Sequence, residues 1–475
     1  MTEVALATSS GDGLVVVVQR GCHTCDRVLP QLAPWLTDHP DVVLLTQDPD
    51  YPPDLDAVHD RDLARSRELG IEGTPALVRT LGGRPVERVD GWDREAWRRM
   101  TGRPDLGRTL PDHLPGCAAK NVDPEAPAAA VTLRSRRVRL GEREDVHEAV
   151  DTRGWTDGLP VVPPTQQRVA AMLSGTVRDP GEVVAVMPPA FANVTVEKVA
   201  VNAVMAGCRP EYLPVVLAAV SAAATDTFNI HGVAATTHFV GPVVVVNGPV
   251  TRGLGMNAGG NALGPGNRAN MTIGRALNLV IRNVGGARPG QIDRATLGSP
   301  GKLSFCFAED EERSPWSSLA AERGVPTGRS AVTLFAGVGP QPVVDQRSTT
   351  AESLAGSLAL SLRTVAHAKL AGRADAMVVV APEHAAIFGR AGWDKSRLRD
   401  ELLERLTLPA PEMARGAGGI AEGLLKPVDG SVSKFASDGL WFVHAGASAG
   451  MYSAIVAGWV NGSAGSQMTT VEVGQ

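Results

Sequence analysis

The stretch LVVVVQRGCHTC, residues 14–25, decides the fold of the first part of the chain. Its opening run of apolar, mostly β-branched residues is typical of a buried strand. Gly21 then marks a turn, and the amphipathic sequence that follows to about residue 37 predicts a helix. Cys22 and Cys25 therefore lie where a strand passes into a helix.

Further patterns complete a small α/β domain over residues 1–104. We predict additional strands at residues 41–47, 75–80 and 85–89, and helices at residues 61–69 and 94–100. The resulting order, βαβαββα, is typical of a compact α/β domain.

Composition divides the rest of the chain into a linker and a larger domain. Residues 105–136 are rich in proline and alanine, end in basic residues and contain Cys117, which predicts a linker. Strands alternate with helices in residues 137–475, which favours a large α/β domain with a mainly parallel sheet. We expect its strands at residues 183–186, 243–246, 331–335, 377–380 and 440–443, and its helices at residues 194–205, 214–224, 270–284, 350–371, 397–406 and 450–460.

The overall composition excludes several classes of protein. The 475 residues include 46 Lys and Arg against 51 Asp and Glu, and this net charge of -5 argues against a nucleic-acid partner. Five cysteines are too few for a secreted disulfide scaffold. The N-terminus lacks the pattern of a signal peptide, and no apolar run approaches the roughly 20 residues that span a bilayer. We therefore expect a cytoplasmic protein without a membrane partner.

The Cys-x-x-Cys spacing has a chemical consequence at the start of a helix. Backbone N–H groups and the helix dipole stabilise a thiolate at Cys22, to which His23 can add, while Cys25 lies one turn later and can resolve a mixed disulfide. Half of a zinc site is the alternative, but the sequence has no second ligand pair for it. We interpret the pair as a redox-active disulfide that draws electrons from a cellular thiol or thioredoxin, with no other cofactor.

The first hundred residues resemble the thioredoxin-like family through two motifs, CHTC at residues 22–25 and GTP at residues 73–75. In that family the second motif forms a cis-proline loop that faces the cysteine pair. The resemblance implies a thioredoxin fold in which Thr74 offers its backbone to an incoming peptide or thiol and Pro75 keeps the strand edge clear. The chain departs from thioredoxin itself at Gly21, which replaces a tryptophan.

The other three cysteines have different surroundings. Cys306 lies in the apolar run LSFCF and is expected in the core. Cys208 stands next to Arg209, whose guanidinium can favour a thiolate, so Cys208 is either a nucleophile or a buried cysteine. Cys117 is a second candidate nucleophile, with Lys120 nearby to hold its thiolate, and a passive linker cysteine is the alternative.

The larger region, about 340 residues, resembles the UGSC family of proteins and selenoproteins. The likeness rests chiefly on residues 154–164, 205–214, 264–270, 298–302 and 458–473. The family is named for a selenocysteine-Gly-Ser-Cys motif, whose counterpart here begins at Cys117 and has a lysine in place of the resolving cysteine. The resemblance implies that Cys117 is the reactive nucleophile and that Cys22 or Cys25 supplies the missing thiol.

Polar residues of the larger region predict a substrate pocket. His231 and His238 flank the segment GVAATT and can hydrogen-bond a substrate or act as a general acid, and a metal site would need a third ligand. A glycine- and asparagine-rich run before a predicted helix gives Asn267, Arg268 and nearby backbone N–H groups the means to bind an anion. His444, after a predicted strand, completes the expected lining.

Residues 446–450, GASAG, have the spacing of a nucleophile elbow, so Ser448 is a candidate serine nucleophile, although a tight turn is preferred. The predicted function is instead a thiol-based oxidoreductase. Cys117 or Cys208 attacks a small electrophilic substrate, and the Cys22–Cys25 pair regenerates it. The alternatives are a sulfur-transfer enzyme that forms C–S bonds and a redox sensor that binds a metabolite or metal. The chain is also a candidate for homo-oligomerisation.

Overall fold

The computed structural model describes residues 12–60, 63–122, 133–141, 144–367, 370–413 and 429–474. The chain divides into two units by its internal contacts. The first unit comprises Met1–Thr132 with Gln166–Ala170, and the second unit comprises Leu133–Thr165 with Ala171–Gln475. Within the described ranges, no helix is both long enough and apolar enough to cross a membrane.

A five-stranded sheet forms the centre of the first unit. The elements of this unit are β1 (Gly13–Val18), α1 (His23–Asp38), β2 (Val43–Thr46), β3 (Val58–His59), α2 (Ala64–Glu68), β4 (Gly73–Thr74), β5 (Ala76–Leu81), β6 (Arg84–Asp90), β7 (Trp92–Asp93), α3 (Arg94–Thr101), β8 (His113–Leu114) and β9 (Cys117–Ala118). The strand order is β3-β2-β1-β5-β6. Strands β1, β2 and β3 are parallel to one another, and β5 is antiparallel to both of its neighbours, β1 and β6. The predicted helices and the predicted main strands are all present, with short additional strands.

Strand β1 is buried on both faces. Successive side chains of a strand point to opposite faces, so Val16 packs in one apolar cluster with Leu32 of α1, and Val17 packs in another with Ile71. This double burial explains why the sequence shows an unbroken apolar run rather than an alternating one. The turn from β1 into α1 then places Cys22 directly before the helix.

Residues 105–122 belong to the first unit, and the prediction of a linker over residues 105–136 is wrong for this part. Leu106 and Leu110 are buried in the same apolar cluster as α1. Strand β8 pairs with β7, and β9 pairs with β4. The proline-rich composition concealed these attachments, because they depend on two leucines and on pairings with distant strands. Residues 123–132 of the predicted linker lie outside the described residues.

The elements that follow residue 133 form two four-stranded sheets, two two-stranded sheets and the helices around them. The helices are α4 (Val146–Thr152), α5 (Gln166–Leu173), α6 (Val196–Ala206), α7 (Leu213–Ala223), α8 (Ile230–Ala235), α9 (Val250–Gly253), α10 (Arg268–Asn283), α11 (Leu319–Glu322), α12 (Ala351–Leu362), α13 (Pro382–Arg390), α14 (Lys395–Arg405) and α15 (Ala410–Met413). The strands are β10 (Val183–Met187), β11 (Ala192–Thr195), β12 (Gly241–Asn247), β13 (Cys306–Ala308), β14 (Ala331–Gly337), β15 (Gln341–Val344), β16 (Ala374–Val380), β17 (Thr407–Pro409), β18 (Ser431–Ser433), β19 (Phe435–His444), β20 (Tyr452–Ala457) and β21 (Thr469–Glu472).

Both four-stranded sheets of the second unit are mixed. One has the order β13-β12-β14-β21, with β12 and β13 parallel, and the other has the order β15-β20-β16-β19, with β16 and β19 parallel. The remaining described pairs in both sheets are antiparallel. The α/β class is confirmed, whereas the expected predominance of parallel pairing is wrong.

One predicted helix is a strand. Residues 450–460 contain β20, which lies between β15 and β16 and is mostly buried. A short apolar run that is covered on both faces has no alternation, so periodicity cannot distinguish it from a buried helix. The helix expected over residues 350–371 ends at Leu362, and residues 368–369 lie outside the described residues. The other predicted helices and strands of this unit are present, with ends shifted by a few residues.

Candidate active site

Cys22 caps helix α1. Its backbone is extended, with φ -87 and ψ 109, so its side chain turns back over the first turn and its Sγ accepts a hydrogen bond from Cys25 N–H at 3.2 Å. On the other side, the carbonyl oxygen of Thr74 lies 3.1 Å from the same Sγ, where a protonated thiol donates to it. The sulfur is therefore held between the start of a helix and the end of β4.

Strand β9 brings a third cysteine to this place. Thr74 of β4 pairs with Cys117 of β9, and the peptide bond between Thr74 and Pro75 is cis. Cys117 also packs against the apolar cluster that contains Cys22 and Cys25. Five residues singled out in the sequence thus lie close together: Cys22, Cys25, Thr74, Pro75 and Cys117. The strand that pairs with Thr74 is supplied by this chain itself.

The three thiols hold their protons with different strength. A hydrogen bond from Cys25 is the largest cause that lowers the pKa of Cys22, which falls to about 4 despite burial, with further contributions from Cys117 and Thr74. Burial raises the pKa of Cys25 far above its usual range, and Cys22 raises it further. Burial and Cys22 also raise the pKa of Cys117. At neutral pH the cluster consists of one thiolate with two thiols as neighbours.

Solvent reaches these thiols unequally. Cys22 and Cys25 are both 0% exposed, whereas Cys117 is half-buried. The side chain of His23 is exposed, and the causes that lower the pKa of Cys22 come from Cys25, Cys117 and Thr74 instead of from His23. Cys117 is the member of the cluster with exposed surface.

Two neighbours of the cluster have roles that the sequence did not indicate. Tyr51 donates a hydrogen bond from its hydroxyl to Asp26 at 3.1 Å, and burial raises its pKa. Lys120 forms an ion pair with Asp48, so the prediction that it holds the Cys117 thiolate is wrong. Tyr51 is separated in sequence from the cysteines whose cluster it packs against, and no local motif marks it.

The cysteines of the second unit are structural. The Cys208 thiol donates to the backbone oxygen of Thr272 at 3.3 Å, and burial raises the pKa of Cys208 to about 12. A nucleophilic role for Cys208 is therefore not supported, because the thiol stays protonated at neutral pH. Cys306 is buried in β13, as predicted.

The two anion-binding candidates have structural partners. The Asn267 side chain caps α10, since its Oδ1 accepts from Asn270 N–H at 3.0 Å and its Nδ2 donates to Gly255 O at 2.8 Å. Arg268 donates from Nε to Gly207 O at 3.0 Å. Both side chains hold the loop before α10 in place.

The three histidines occupy different environments. His231 is exposed and its ring meets Phe191 edge-on, with centroids 6.0 Å apart. His238 is half-buried, and burial lowers its pKa. His444 is fully buried with Nδ1 2.9 Å from Asp310 O, while its Nε2 has no partner among the described residues. Within the same ranges, no group of three His, Cys, Asp or Glu side chains is arranged to hold a metal ion.

A polar cavity of about 540 Å³ lies in the second unit, at the carboxyl ends of parallel strands β12 and β13. Asn247 ends β12 and donates from Nδ2 to Glu309 at 2.7 Å and to Glu311 at 2.9 Å. Ligands commonly bind at the carboxyl ends of parallel strands, so this cavity is the candidate small-molecule site of the unit. It is not lined by the histidines, Asn267 or Arg268 that the sequence suggested. Glu309 was missed because the run EDEE resembles an ordinary solvated surface.

Ser448 lies in the exposed connection between β19 and β20. A nucleophile elbow requires a strand followed by a helix, and here a second strand follows. The serine hydrolase hypothesis is therefore wrong.

No model of a known protein family matches the chain, and the curated proteins that were searched contain no match to it. The function is inferred from the geometry of the residues themselves.

Proposed function

We propose that the chain is a thiol-based oxidoreductase whose Cys22–Cys25 pair cycles between dithiol and disulfide. The observation that supports this is the buried Cys22 sulfur at the start of α1, which accepts a hydrogen bond from Cys25 N–H at 3.2 Å. Its low pKa supplies a nucleophile at neutral pH, and Cys25, one turn away, is the resolving thiol. A cellular thiol or thioredoxin would return the disulfide to the dithiol, and a reducing cytoplasm suits this cycle.

The first unit is proposed to be thioredoxin-like. Support comes from the position of CHTC between the central strand β1 and helix α1, from the cis bond before Pro75, and from the sheet order β3-β2-β1-β5-β6. The second unit is proposed to be UGSC-like and to bind the small-molecule substrate, and its cavity at the ends of β12 and β13 supports that role.

Cys117 is the substrate-facing nucleophile in this proposal. It is half-buried where Cys22 and Cys25 are fully buried, and it pairs with Thr74, the residue whose carbonyl oxygen lies 3.1 Å from Cys22 Sγ. Cys208 is buried, and its thiol donates to a backbone oxygen. The reaction class is attack of a thiol on a small electrophilic substrate, followed by thiol–disulfide exchange with the pair.

Disulfide mapping tests the proposed cycle. The reduced protein is oxidised with a stoichiometric amount of glutathione disulfide, blocked with iodoacetamide and mapped by mass spectrometry. We expect a Cys22–Cys25 disulfide in the natural chain and a Cys22–Cys117 disulfide in Cys25→Ser, because the resolving thiol is then missing. Cys306→Ser is the matched control and should behave like the natural chain. A protein in which Cys22 never enters a disulfide would contradict the proposal.

A further inference from the structure

We infer that strand β9 closes the redox site to extended peptides, so that small disulfides exchange electrons with Cys22 by way of Cys117. This inference rests on the proposed redox function of the Cys22–Cys25 pair. It names the substrate class: low-molecular-weight disulfides that react at an exposed sulfur, rather than disulfides in protein chains.

The first support is access to the sulfur atoms. Cys22 is 0% exposed, so no external reagent contacts its sulfur while β9 stays in place. Cys117 has exposed surface and pairs with Thr74, whose carbonyl oxygen lies 3.1 Å from Cys22 Sγ. A reagent that reaches Cys117 is therefore one exchange step away from the thiolate.

The second support is the occupation of the β4 edge. An exposed strand edge binds an extended peptide through main-chain hydrogen bonds. Here Thr74 of that edge already pairs with Cys117, and Gly73 pairs with Ala118. An incoming peptide would have to displace β9 before it could pair next to Cys22.

The third support is the way in which β9 is fastened to the unit. Gln19 Nε2 donates to Ala118 O at 2.9 Å, and Thr24 Oγ1 donates to Pro115 O at 2.7 Å. Beyond β9, Lys120 N–H donates to the Gln47 side chain at 2.7 Å, and Ala119 N–H donates to the Glu72 backbone at 3.1 Å. Bonds on both sides of Cys117 hold it in register with Thr74.

Close backbone packing also fixes the segment. A Cβ atom added at Gly116 would lie 3.0 Å from Gly91 N and 3.2 Å from Thr74 O, so alanine at this position would force β9 or its neighbours to shift by a few tenths of an ångström. A substitution at Gly116 can therefore loosen β9 while all cysteines are retained.

The exchange proceeds in three balanced steps. The Cys117 sulfur attacks a small disulfide RSSR, whose S–S bond breaks; a Cys117–SR mixed disulfide forms, and RSH leaves with the Cys117 proton. The Cys22 thiolate then attacks the Cys117 sulfur, forms a Cys22–Cys117 disulfide and expels RS⁻, which takes a proton from solvent. Cys25 finally attacks Cys22, and its proton passes to the released Cys117 sulfur. RSSR gains the two electrons that Cys22 and Cys25 lose.

Quenched-reaction kinetics with two disulfide substrates test the first step, the attack of Cys117 on the substrate. Glutathione disulfide is the small probe, insulin is the polypeptide probe, and the measured quantity is the rate of Cys22–Cys25 disulfide formation in the full chain. In Cys117→Ser we expect the rate with glutathione disulfide to fall by about tenfold or more, because the oriented path is lost. Cys208→Ser is the control and should keep the natural rate. An unchanged rate in Cys117→Ser would overturn the inference while leaving the proposed redox pair intact.

A second variant tests the closed edge. Gly116→Ala should displace β9, accelerate alkylation of Cys22 by iodoacetamide and raise the rate with insulin. Gly13→Ala is the control, since a Cβ atom there meets nothing within 4 Å. If the natural chain reacts with insulin as fast as with glutathione disulfide, the inference is wrong. If no variant forms any disulfide at Cys22, the proposed function itself fails.

Discussion

Cys22 combines complete burial with a lowered pKa, two properties that usually oppose each other. Desolvation disfavours a thiolate, but the interaction with Cys25, followed by smaller contributions from other neighbours, outweighs it, and the pKa falls to about 4. The side chain therefore carries its charge in a place that solvent does not reach.

This lowered pKa predicts a pH dependence of stability. Above pH of about 4 the folded chain holds Cys22 as a thiolate, whereas the unfolded chain keeps the thiol protonated up to its ordinary pKa near 9.0. The unfolded state then binds more protons, so the contribution of Cys22 to the free energy of unfolding rises with pH between these values and is lost as pH falls through about 4. Chemical denaturation of the reduced protein measures this. The difference from Cys22→Ser should widen with pH, and a constant difference would contradict the assignment.

Asn267 is predicted to act through stability rather than through substrate binding. Its side chain caps α10, so Asn267→Ala should lower the free energy of unfolding by about 1 kcal/mol. Asn267→Asp retains an acceptor for the Asn270 N–H and should recover most of that loss. Denaturant titration of the three proteins decides the point. A loss of redox turnover with unchanged stability would instead favour the anion-binding role.

At the scale of the element, the success of sequence reasoning depended on how local each signal is. The passage from β1 to α1 is encoded within residues 14–25, so Cys22 and Cys25 could be placed at a helix start from the sequence. Strand β9 could not be found in this way. It exists because Cys117 pairs with Thr74, a residue far away in the chain, and its composition resembles a linker.

The same reasoning explains the error at β20. Ile455 of β20 packs in one apolar cluster and Val456 packs in another, so both faces of the strand are covered and the alternating pattern that identifies a strand is lost. The closeness of Cys117 to Cys22 was expected only through the resemblance to the UGSC family. The side chains that tie β9 to the sheet were not expected at all, because they depend on tertiary contacts.

A buried ion pair connects elements of the second unit. Lys395 at the start of α14 is 3% exposed and lies 3.6 Å from Glu309, which follows β13 and is itself fully buried. It also lies 2.9 Å from Glu322 of α11. Burial raises the pKa of Glu309, and the charge of Lys395 opposes this rise. Glu309 also lines the cavity at the ends of β12 and β13.

Removal of this lysine should be costly. Lys395→Met leaves Glu309 buried without its cation, and we expect a loss of about 3–5 kcal/mol in the free energy of unfolding. The double variant Lys395→Met with Glu309→Gln should recover part of the loss, because the uncompensated charge is then gone. Denaturant titration of both proteins measures the difference. Equal losses in the single and double variants would show that lost packing, not charge, is responsible.

At the scale of the whole molecule, the two units carry different chemistry. The first unit holds the thiols and the strand that covers them, and the second unit holds the polar cavity and buried, protonated cysteines. The α/β class of the chain could be predicted from the alternation of strands and helices. The strand directions could not, because antiparallel returns such as β20 are made by pairing and leave no local mark.

The position of β9 also fixes the kinetic order of the exchange between Cys117 and Cys22. Both sulfurs belong to one chain, and Cys117 pairs with Thr74, whose carbonyl oxygen lies 3.1 Å from Cys22 Sγ, so this step is unimolecular. Well-oriented intramolecular reactions reach effective molarities of about 10⁵–10⁸ M. Dilution of the protein then leaves the internal step unchanged, and only the entry of substrate at Cys117 depends on concentration. The rate constant of the exchange between Cys117 and Cys22 is therefore the same at low and at high protein concentration.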